Sequence, residues 1–319
     1  MADVVKILSI DGGGIRGIIP ALVLETIEER TGRPISALFD LIAGTSKGGV
    51  IALGLTKPDE DGRPAHTAKK IVDLYETWGP RTFSRSIGQR LRTCNGILRE
   101  KYSCAGFNEM VAEYLADARL SDALTDVLIT AYDTERRCPF FFKSAKARSQ
   151  ESCDFLMRLA ALATAAAPTY FEPLKLETDT AAEYYSLIDG GVYANNPAMC
   201  AYADVMRHHP NGEVLLVSLG TGELTRPLPY DEVKEWGLFG WARPMLDVVF
   251  DGVSNTTNYQ LCQLLGSSSY HRFQVTLDQR SERIDDATPG NLRALRLKAE
   301  QLIDSRSAEL DVVCERLGA

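Results

Sequence analysis

The sequence contains few of the residues that build metal centres, disulfide frameworks and histidine-based catalytic sites. It has four histidines and seven cysteines in 319 residues, and no two cysteines have the C-x-x-C spacing. An odd number of scattered cysteines is typical of reduced thiols in a cytoplasmic protein and argues against a zinc site. No run of about 18 apolar residues is present, so we expect no membrane-spanning helix. The net charge of −8 argues against a general affinity for polyanions.

The composition is that of a globular protein with a large core. Hydrophobic residues make up 45% of the chain and charged residues 24%, and strand and helix patterns alternate along it. This alternation predicts a three-layer α/β/α fold with a mainly parallel central sheet. We expect a single domain over 1–319, with a core at about 4–225 and a C-terminal extension at 226–319. Because a strand pattern begins directly after residue 3, we expect no signal peptide and a cytoplasmic location.

Several segments have a clear helix or strand periodicity. A helix is predicted from Pro20 to about Arg30, with Gly32 beyond its end. An alanine-rich helix is predicted over 155–167 and a long amphipathic helix over about 291–317. Buried strands are predicted at 4–10, 39–43, 124–131, 139–142, 185–188 and 214–219.

A glycine-rich turn with one serine follows the second predicted strand. Gly44-Thr45-Ser46-Lys47-Gly48 has the pattern G-x-S-x-G between a strand and a helix. Flanking glycines allow a tight, strained turn that exposes the serine hydroxyl, and the N-terminus of the following helix stabilises a developing oxyanion. The pattern predicts Ser46 as a nucleophile. An ordinary turn between a strand and a helix explains the same five residues, and both interpretations stay open here.

Another glycine-rich turn, Asp11-Gly12-Gly13-Gly14-Ile15-Arg16-Gly17, follows the first predicted strand. The N–H groups of Gly12, Gly13 and Gly14 have no side chain in the way, and successive N–H groups of this kind form oxyanion holes and anion-binding nests. Arg16 is predicted to support this loop or to face a phosphate.

The same turn also fits a nucleotide-binding module. Gly12, Gly14 and Gly17 match G-x-G-x-x-G, the dinucleotide fingerprint. That module places an acidic residue at the end of the second strand, whereas Asp40 precedes Leu41-Ile42-Ala43 and the strand ends near Ser46. A non-catalytic module that uses Gly12–Gly17 remains an alternative.

Asp189 follows a predicted strand and precedes Gly190-Gly191. The functional interpretation is a general base that accepts the Ser46 proton, and the alternative is an ordinary Asp-Gly turn. His271 is the histidine that satisfies the Ser, Asp, His order of an α/β-hydrolase. An esterase with a Ser46-Asp189-His271 triad is therefore a second alternative, although a Ser-Asp dyad needs no histidine.

Together, these motifs resemble those of the patatin-like phospholipase family over residues 4–225. Residues 11–17 resemble the family's oxyanion loop, 44–48 its nucleophile elbow and 189–191 the turn of its catalytic aspartate, with support from 165–171 and 195–197. The resemblance implies a patatin-like fold and a Ser46-Asp189 dyad that hydrolyses ester bonds of phospholipids or related lipids without a metal or cofactor. Lys47 departs from the family, which more often has a small or apolar residue there.

This resemblance implies a phospholipase A or lysophospholipase that contacts the membrane surface peripherally during turnover. An apolar rim is then expected, and Trp236, Leu238, Phe239 and Trp241 are candidates for an interfacial lip. Core packing is the alternative explanation of these four residues. The predicted C-terminal helix either docks on its own domain or pairs with a second copy in a homo-oligomer.

Residues from Tyr230 onward resemble, more weakly, bacterial patatin-like phospholipases of antiphage defence. Some members of that group are activated by cyclic nucleotides, which implies a cyclic nucleotide as an activator here. Arg81 and Arg85 lie in a basic, serine-containing stretch and are the predicted nucleotide contacts. A solvated surface is the alternative for this stretch.

Overall fold

The computed structural model describes residues 4–82, 105–178, 183–224, 227–241, 244–278, 281 and 283–318. Within these residues, eight strands form one sheet. The strands are β1 (Val5–Ile10), β2 (Leu41–Gly44), β3 (Asp126–Asp133), β4 (Cys138–Lys143), β5 (Leu174–Glu177), β6 (Tyr184–Asp189), β7 (Val214–Leu219) and β8 (Tyr270–Phe273).

Helices occupy most of the connections between these strands. They are α1 (Ile18–Thr31), α2 (Lys47–Thr56), α3 (Ala68–Thr82), α4 (Ala105–Leu115), α5 (Ser144–Ser149), α6 (Met157–Thr164), α7 (Gly191–Ala194), α8 (Ala198–His208), α9 (Tyr230–Val233), α10 (Leu238–Trp241), α11 (Pro244–Leu264), α12 (Pro289–Ser305) and α13 (Ser307–Gly318). No helix in the described ranges is long and apolar enough to cross a membrane.

The centre of the sheet is parallel. Strands β3, β2, β1, β7 and β8 lie side by side in that order and run in one direction. Beyond them, β4 and β6 pair antiparallel with β3, and β5 pairs antiparallel with β6. The prediction of a mainly parallel central sheet is confirmed. Because parallel strands end at the same edge, the turns that follow β1 and β2 lie next to each other.

Helices cover both faces of the sheet, as the three-layer prediction requires. Leu8 and Ile10 of β1 face a large core to which α1, α2, α3, α4, α6, α12 and α13 contribute. Ile7, which points the other way, belongs to a smaller core with α8 and α11. Side chains alternate between the faces of a strand, so a buried parallel strand must be apolar on both sides.

The C-terminal segment packs on the same sheet as the predicted core. β8 pairs with β7, and α12 and α13 both contact α1. The prediction of one long helix over 291–317 is wrong, because the helix breaks at Arg306, which has φ −111° and ψ 17°. The break gives two shorter helices, each with its apolar side toward the large core. The alanine-rich helix is also shorter than predicted and covers 157–164.

Candidate active site

Ser46 lies in a strained turn between β2 and α2. Its backbone has φ 54° and ψ −126°, a conformation that costs energy for a residue with a side chain and that is concentrated at functional sites. The turn is possible because Gly48 has no side chain, since a Cβ there would lie 2.3 Å from the carbonyl oxygen of Ile10. The N–H of Ser46 donates to Oγ1 of Thr164 at 2.8 Å. The expected strand–turn–helix geometry is therefore present, with the serine at its tip.

Asp189 comes close to Ser46 because β2 and β6 meet end to end. β4 pairs along one edge of β3, so β2 and β6 share the other edge. Gly44, the last residue of β2, lies opposite Ile129, and Asp189, the last residue of β6, lies opposite Ala131. Since β2 is parallel and β6 antiparallel to β3, their carboxyl ends point toward each other. The structure thus brings Ser46 and Asp189 together from positions 143 residues apart in the sequence.

Both Ser46 and Asp189 line one cavity of about 410 Å³. Residues of the glycine loop and of the turn after β6 line it too, together with apolar side chains. The other lining residues are Gly13, Gly14, Lys47, Ala165, Ala167, Tyr170, Phe171, Asn195, Phe250 and Ile284.

The Asp189 carboxyl is buried, with 1% of its surface exposed. Burial raises the pKa of this carboxyl from 3.8 to about 6, while the hydrogen bond with Ser46, the N–H of Gly191 and the charge of Lys47 each lower it. The Gly191 N–H donates to Oδ1 of Asp189 at 2.8 Å. A carboxylate with a raised pKa accepts a proton more readily than an exposed one, and it is still ionised at neutral pH.

The three glycines of the loop differ in the hydrogen bonds of their N–H groups. The N–H of Gly12, one of the three predicted oxyanion donors, donates to the carbonyl oxygen of Asn195 at 3.0 Å. Gly13 and Gly14 both line the cavity, and no described residue accepts a hydrogen bond from either N–H. Gly14 has φ +58°, and a Cβ at this position would lie 2.2 Å from the carbonyl oxygen of Ile284, so the loop requires glycine here.

Arg16 lies in the single turn of 3₁₀ helix over Gly14–Gly17, where it is buried. Its Nε donates to the carbonyl oxygen of Gly13 at 3.4 Å, a position that suits the predicted support of the loop. The predicted nucleotide contacts are Arg81 and Arg85. Arg81 is in the last turn of α3 and nothing is described of its side chain, and Arg85 lies outside the described residues, so that prediction is untested.

His271 does not belong to this site, and the alternative of a Ser46-Asp189-His271 triad is wrong. It lies on β8, which β1 and β7 separate from β2, a distance of about 14 Å at about 4.8 Å per strand. Its Nδ1 is 2.9 Å from Oε1 of Glu309 on α13. The histidine therefore joins the last helix to the edge of the sheet.

Asp40 does not supply the acidic residue of a dinucleotide-binding module. It precedes β2, and its Oδ2 accepts a hydrogen bond from the N–H of Lys6 at 2.7 Å. Lys6 is near the start of β1, so Asp40 is at the opposite end of the strands from the glycine loop. This position removes the main support for the nucleotide-binding alternative.

The comparison with known proteins agrees with these motifs. The family described as "Patatin-like phospholipase" matches residues 8–202, which include the glycine loop, the serine turn and Asp189. The chain belongs to the patatin-like phospholipase family. Family membership supports a lipid ester hydrolase.

Plant members of the family are similar over nearly the whole chain. Patatin-like protein 2 of Arabidopsis thaliana is 31% identical, with 97% of this chain and 85% of the relative covered. A relative from Solanum tuberosum is 31% identical, over 97% of this chain and 89% of its own length, and is named "Probable inactive patatin-3-Kuras 1". Among solved structures, VipD from Legionella pneumophila matches with a TM-score of 0.40 and 12% identity over 94% of this chain and 67% of VipD.

Lys47, the residue that departs from the patatin-like pattern, is buried beside the candidate nucleophile. Its Nζ lies 3.1 Å from the centroid of the Phe107 ring, a contact between a cation and an aromatic face. Lys47 lines the candidate active site and also a second, apolar cavity of about 480 Å³. This second cavity is lined by Ile15, Val50, Ile51, Ile71, Leu74, Tyr75, Trp78, Gly79, Met110 and Tyr114 as well.

Sequence reasoning missed Thr164 and Thr221, which hold this patatin-like site together with Asn195 of the supporting segment 195–197. Thr164 accepts the Ser46 N–H, Asn195 accepts the Gly12 N–H, and Thr221 donates its hydroxyl to the carbonyl oxygen of Gly12 at 2.6 Å. Threonine is common in turns and at helix ends, so nothing in the local sequence pattern marks Thr164 or Thr221. In the described ranges, no three His, Cys, Asp or Glu side chains come together as a metal site.

Proposed function

We propose that this protein is a phospholipid acyl hydrolase of the phospholipase A or lysophospholipase type, with Ser46 and Asp189 as its catalytic dyad. The observation that carries the proposal is one cavity that contains the serine at its strained turn, the buried carboxylate, and Gly13 and Gly14. These are the three parts that acyl transfer needs: a nucleophile, a base and an oxyanion hole.

In the proposed first half-reaction, Asp189 removes the proton from Ser46 Oγ while Oγ attacks the ester carbonyl carbon. The N–H groups of Gly13 and Gly14 donate to the oxyanion, with help from the N-terminus of α2. The tetrahedral intermediate collapses and the C–O bond to the alcohol breaks. Asp189 returns its proton to the leaving oxygen, which leaves an acyl group on Ser46.

In the second half-reaction, Asp189 takes a proton from water, and the resulting hydroxide attacks the acyl carbonyl carbon. The second tetrahedral intermediate releases the fatty acid, and the proton on Asp189 returns to Ser46 Oγ. One base serves both steps because the water takes the position that the alcohol has left, within reach of the same carboxylate.

The second cavity suits the acyl chain of such a substrate. It is lined almost entirely by apolar side chains, and it adjoins the site through Lys47, which lines both cavities. We infer that the ester sits at Ser46 and that the acyl chain extends past Lys47 toward Trp78 and Met110.

The proposal is tested by hydrolysis of a fluorogenic phospholipid and a short-chain nitrophenyl ester. Ser46→Ala and Asp189→Asn should each lower kcat at least 100-fold, and a fluorophosphonate should label the wild type at Ser46. Asp133→Asn is the matched control, because Asp133 is a buried aspartate at the end of the neighbouring strand β3. A folded Asp189→Asn protein with wild-type activity would contradict the dyad.

Each assay is repeated with cyclic dinucleotides and trinucleotides. The predicted activation by a cyclic nucleotide, the cytoplasmic location with peripheral membrane contact, and a homo-oligomer remain proposals. If the protein is fully active without a nucleotide and none of these compounds changes its activity, activation by a cyclic nucleotide is excluded. Tight nucleotide binding without hydrolysis under any condition would instead favour a binding module.

A further inference from the structure

The glycine loop begins at a buried ion pair with the C-terminal segment. Asp11 follows β1 directly and is 1% exposed. Its carboxylate accepts two parallel hydrogen bonds from Arg272 of β8, from Nη1 to Oδ1 at 2.9 Å and from Nη2 to Oδ2 at 2.5 Å. A bidentate pair of this kind fixes the orientation as well as the distance of the two groups.

Serines on two other elements hold this pair in place. Oγ of Ser254 on α11 donates to Oδ2 of Asp11 at 3.2 Å, and Nη1 of Arg272 donates to Oγ of Ser218 on β7 at 2.7 Å. The Asp11 N–H donates to the carbonyl oxygen of Leu219 at 3.0 Å. Both the backbone and the side chain of Asp11 are therefore fixed, and β1, β7, β8 and α11 all take part.

Asp11 is two residues before Gly13, the first of the two N–H donors at the cavity. Two peptide units span at most about 7.6 Å, so a displacement of Asp11 is transmitted to the position of the Gly13 N–H. Arg272 itself does not line the cavity and does not contact the dyad, so its direct link to the glycine loop is Asp11.

The same C-terminal segment also contacts the loop through Ile284 and lines the cavity. The N–H of Ile15 donates to the carbonyl oxygen of Ile284 at 2.9 Å, and Phe250 and Ile284 both line the cavity. Phe250 and Ile284, like Ser254 and Arg272, lie beyond residue 202, where the family match ends.

We propose that Arg272 is a positioning residue of the oxyanion loop, and that the loop takes its working geometry only when β8 and α11 are docked on the sheet. The part of the proposal that concerns turnover rests on the acyl hydrolase function proposed above. Its physical basis is that an oxyanion hole works through donors that are held in place before the reaction. Charge alone is not sufficient, because a lysine ammonium cannot bind both carboxylate oxygens in the planar arrangement of a guanidinium.

The test compares Arg272→Lys and Arg272→Met with the wild type. We expect Arg272→Met to lower kcat on a soluble nitrophenyl ester by roughly 100-fold, similar to the loss of one oxyanion donor, with KM changed by less than about twofold. The kcat of Arg272→Lys should lie between those of the wild type and Arg272→Met. Arg306→Met is the matched control, since Arg306 also pairs with a carboxylate within the C-terminal segment, that of Glu309, but has no contact with the loop. We expect wild-type kcat from this control.

A second measurement does not depend on activity. Hydrogen exchange of the peptide that covers residues 11–17 should become at least tenfold faster in both Arg272 variants, while exchange in the middle of α1 stays unchanged. Arg306→Met should leave both rates as they are. A merely structural role would instead accelerate exchange throughout the protein and lower kcat only in proportion to the unfolded fraction, which circular dichroism measures.

Two outcomes would overturn the inference: a folded Arg272→Lys with wild-type kcat, or unchanged exchange of residues 11–17 in that variant. If Arg272→Met does not fold, Arg272→Lys and Ser254→Ala provide the same comparison. If the wild type neither hydrolyses esters nor reacts with a fluorophosphonate, the proposed function fails, and the exchange rates still decide whether Arg272 positions the loop.

Discussion

Replacing Asp189 with asparagine is expected to stop turnover and, at the same time, to stabilise the folded protein at alkaline pH. The carboxyl is buried, and burial raises its pKa from 3.8 to about 6 in the folded state. Above pH 6 the protein must therefore keep a charged group in a place that favours a neutral one. Asparagine has nearly the same shape and no charge, and its oxygen can still accept the N–H of Gly191.

The size of the effect follows from the two pKa values. They differ by about two pKa units, and each unit corresponds to about 1.4 kcal/mol, so the ionised carboxylate costs about 3 kcal/mol. Because the folded pKa is raised, this cost is absent below pH 3.8, develops between about pH 4 and 6, and is complete above pH 6 to 7. For a protein of 319 residues, 3 kcal/mol corresponds to an increase in Tm of about 4 °C.

The assay is thermal or urea unfolding of the wild type and Asp189→Asn at pH 4, 6 and 8, with kcat measured in parallel. The two proteins should be equally stable near pH 4, and the variant should be more stable at pH 8. An equal or lower Tm at pH 8 would refute the reasoning, because the carboxylate would then not be destabilised by its surroundings.

Asp133→Asn is the control with the opposite sign. Burial raises the pKa of Asp133, but hydrogen bonds from Arg136 and from the N–H groups of Arg136 and Glu135 outweigh it, and the net pKa is lowered. The ionised Asp133 therefore stabilises the folded state at neutral pH, and this contribution is lost as the pH falls through the lowered pKa. Asp133→Asn should be less stable than the wild type at pH 8, with unchanged kcat.

Three further changes test other parts of the site. Lys47→Met removes a charge that lowers the pKa of Asp189. The pKa of Asp189 should therefore rise, and the acidic limb of the plot of kcat/KM against pH should move above pH 6. An acidic limb at the wild-type position would contradict this. Thr164→Val leaves the Ser46 N–H without its acceptor, which should cost about 1 to 3 kcal/mol in urea unfolding and lower kcat, whereas a silent variant would show that the contact is unimportant. Leu238 is 84% exposed. Because Leu238→Ser loses about 1.5 kcal/mol of apolar burial, it should weaken binding to phosphatidylcholine vesicles about tenfold and leave hydrolysis of a soluble ester unchanged. Undiminished vesicle binding would exclude Leu238 from an interfacial lip.

Local patterns in the sequence determined the elements and the positions of the motifs. The strand over 214–219 and the turn at Ser46 were predicted from apolar runs that end at glycine, and the structure has them at those places. Such patterns are reliable because a buried parallel strand must be apolar on both faces, and because glycine permits backbone approaches that a Cβ prevents. The order of the motifs was also sufficient to indicate the family.

Only the tertiary structure decided how these parts meet. Asp189 lies near Ser46 because β6 returns antiparallel and ends opposite Ala131, a register that no local pattern encodes. The Gly12 N–H is taken by Asn195, and Asp11 pairs with Arg272, 261 residues away in the sequence. Contacts of this kind depend on how whole strands and helices pack. Sequence alone therefore indicated the candidate site residues, and the fold decided which of them touch.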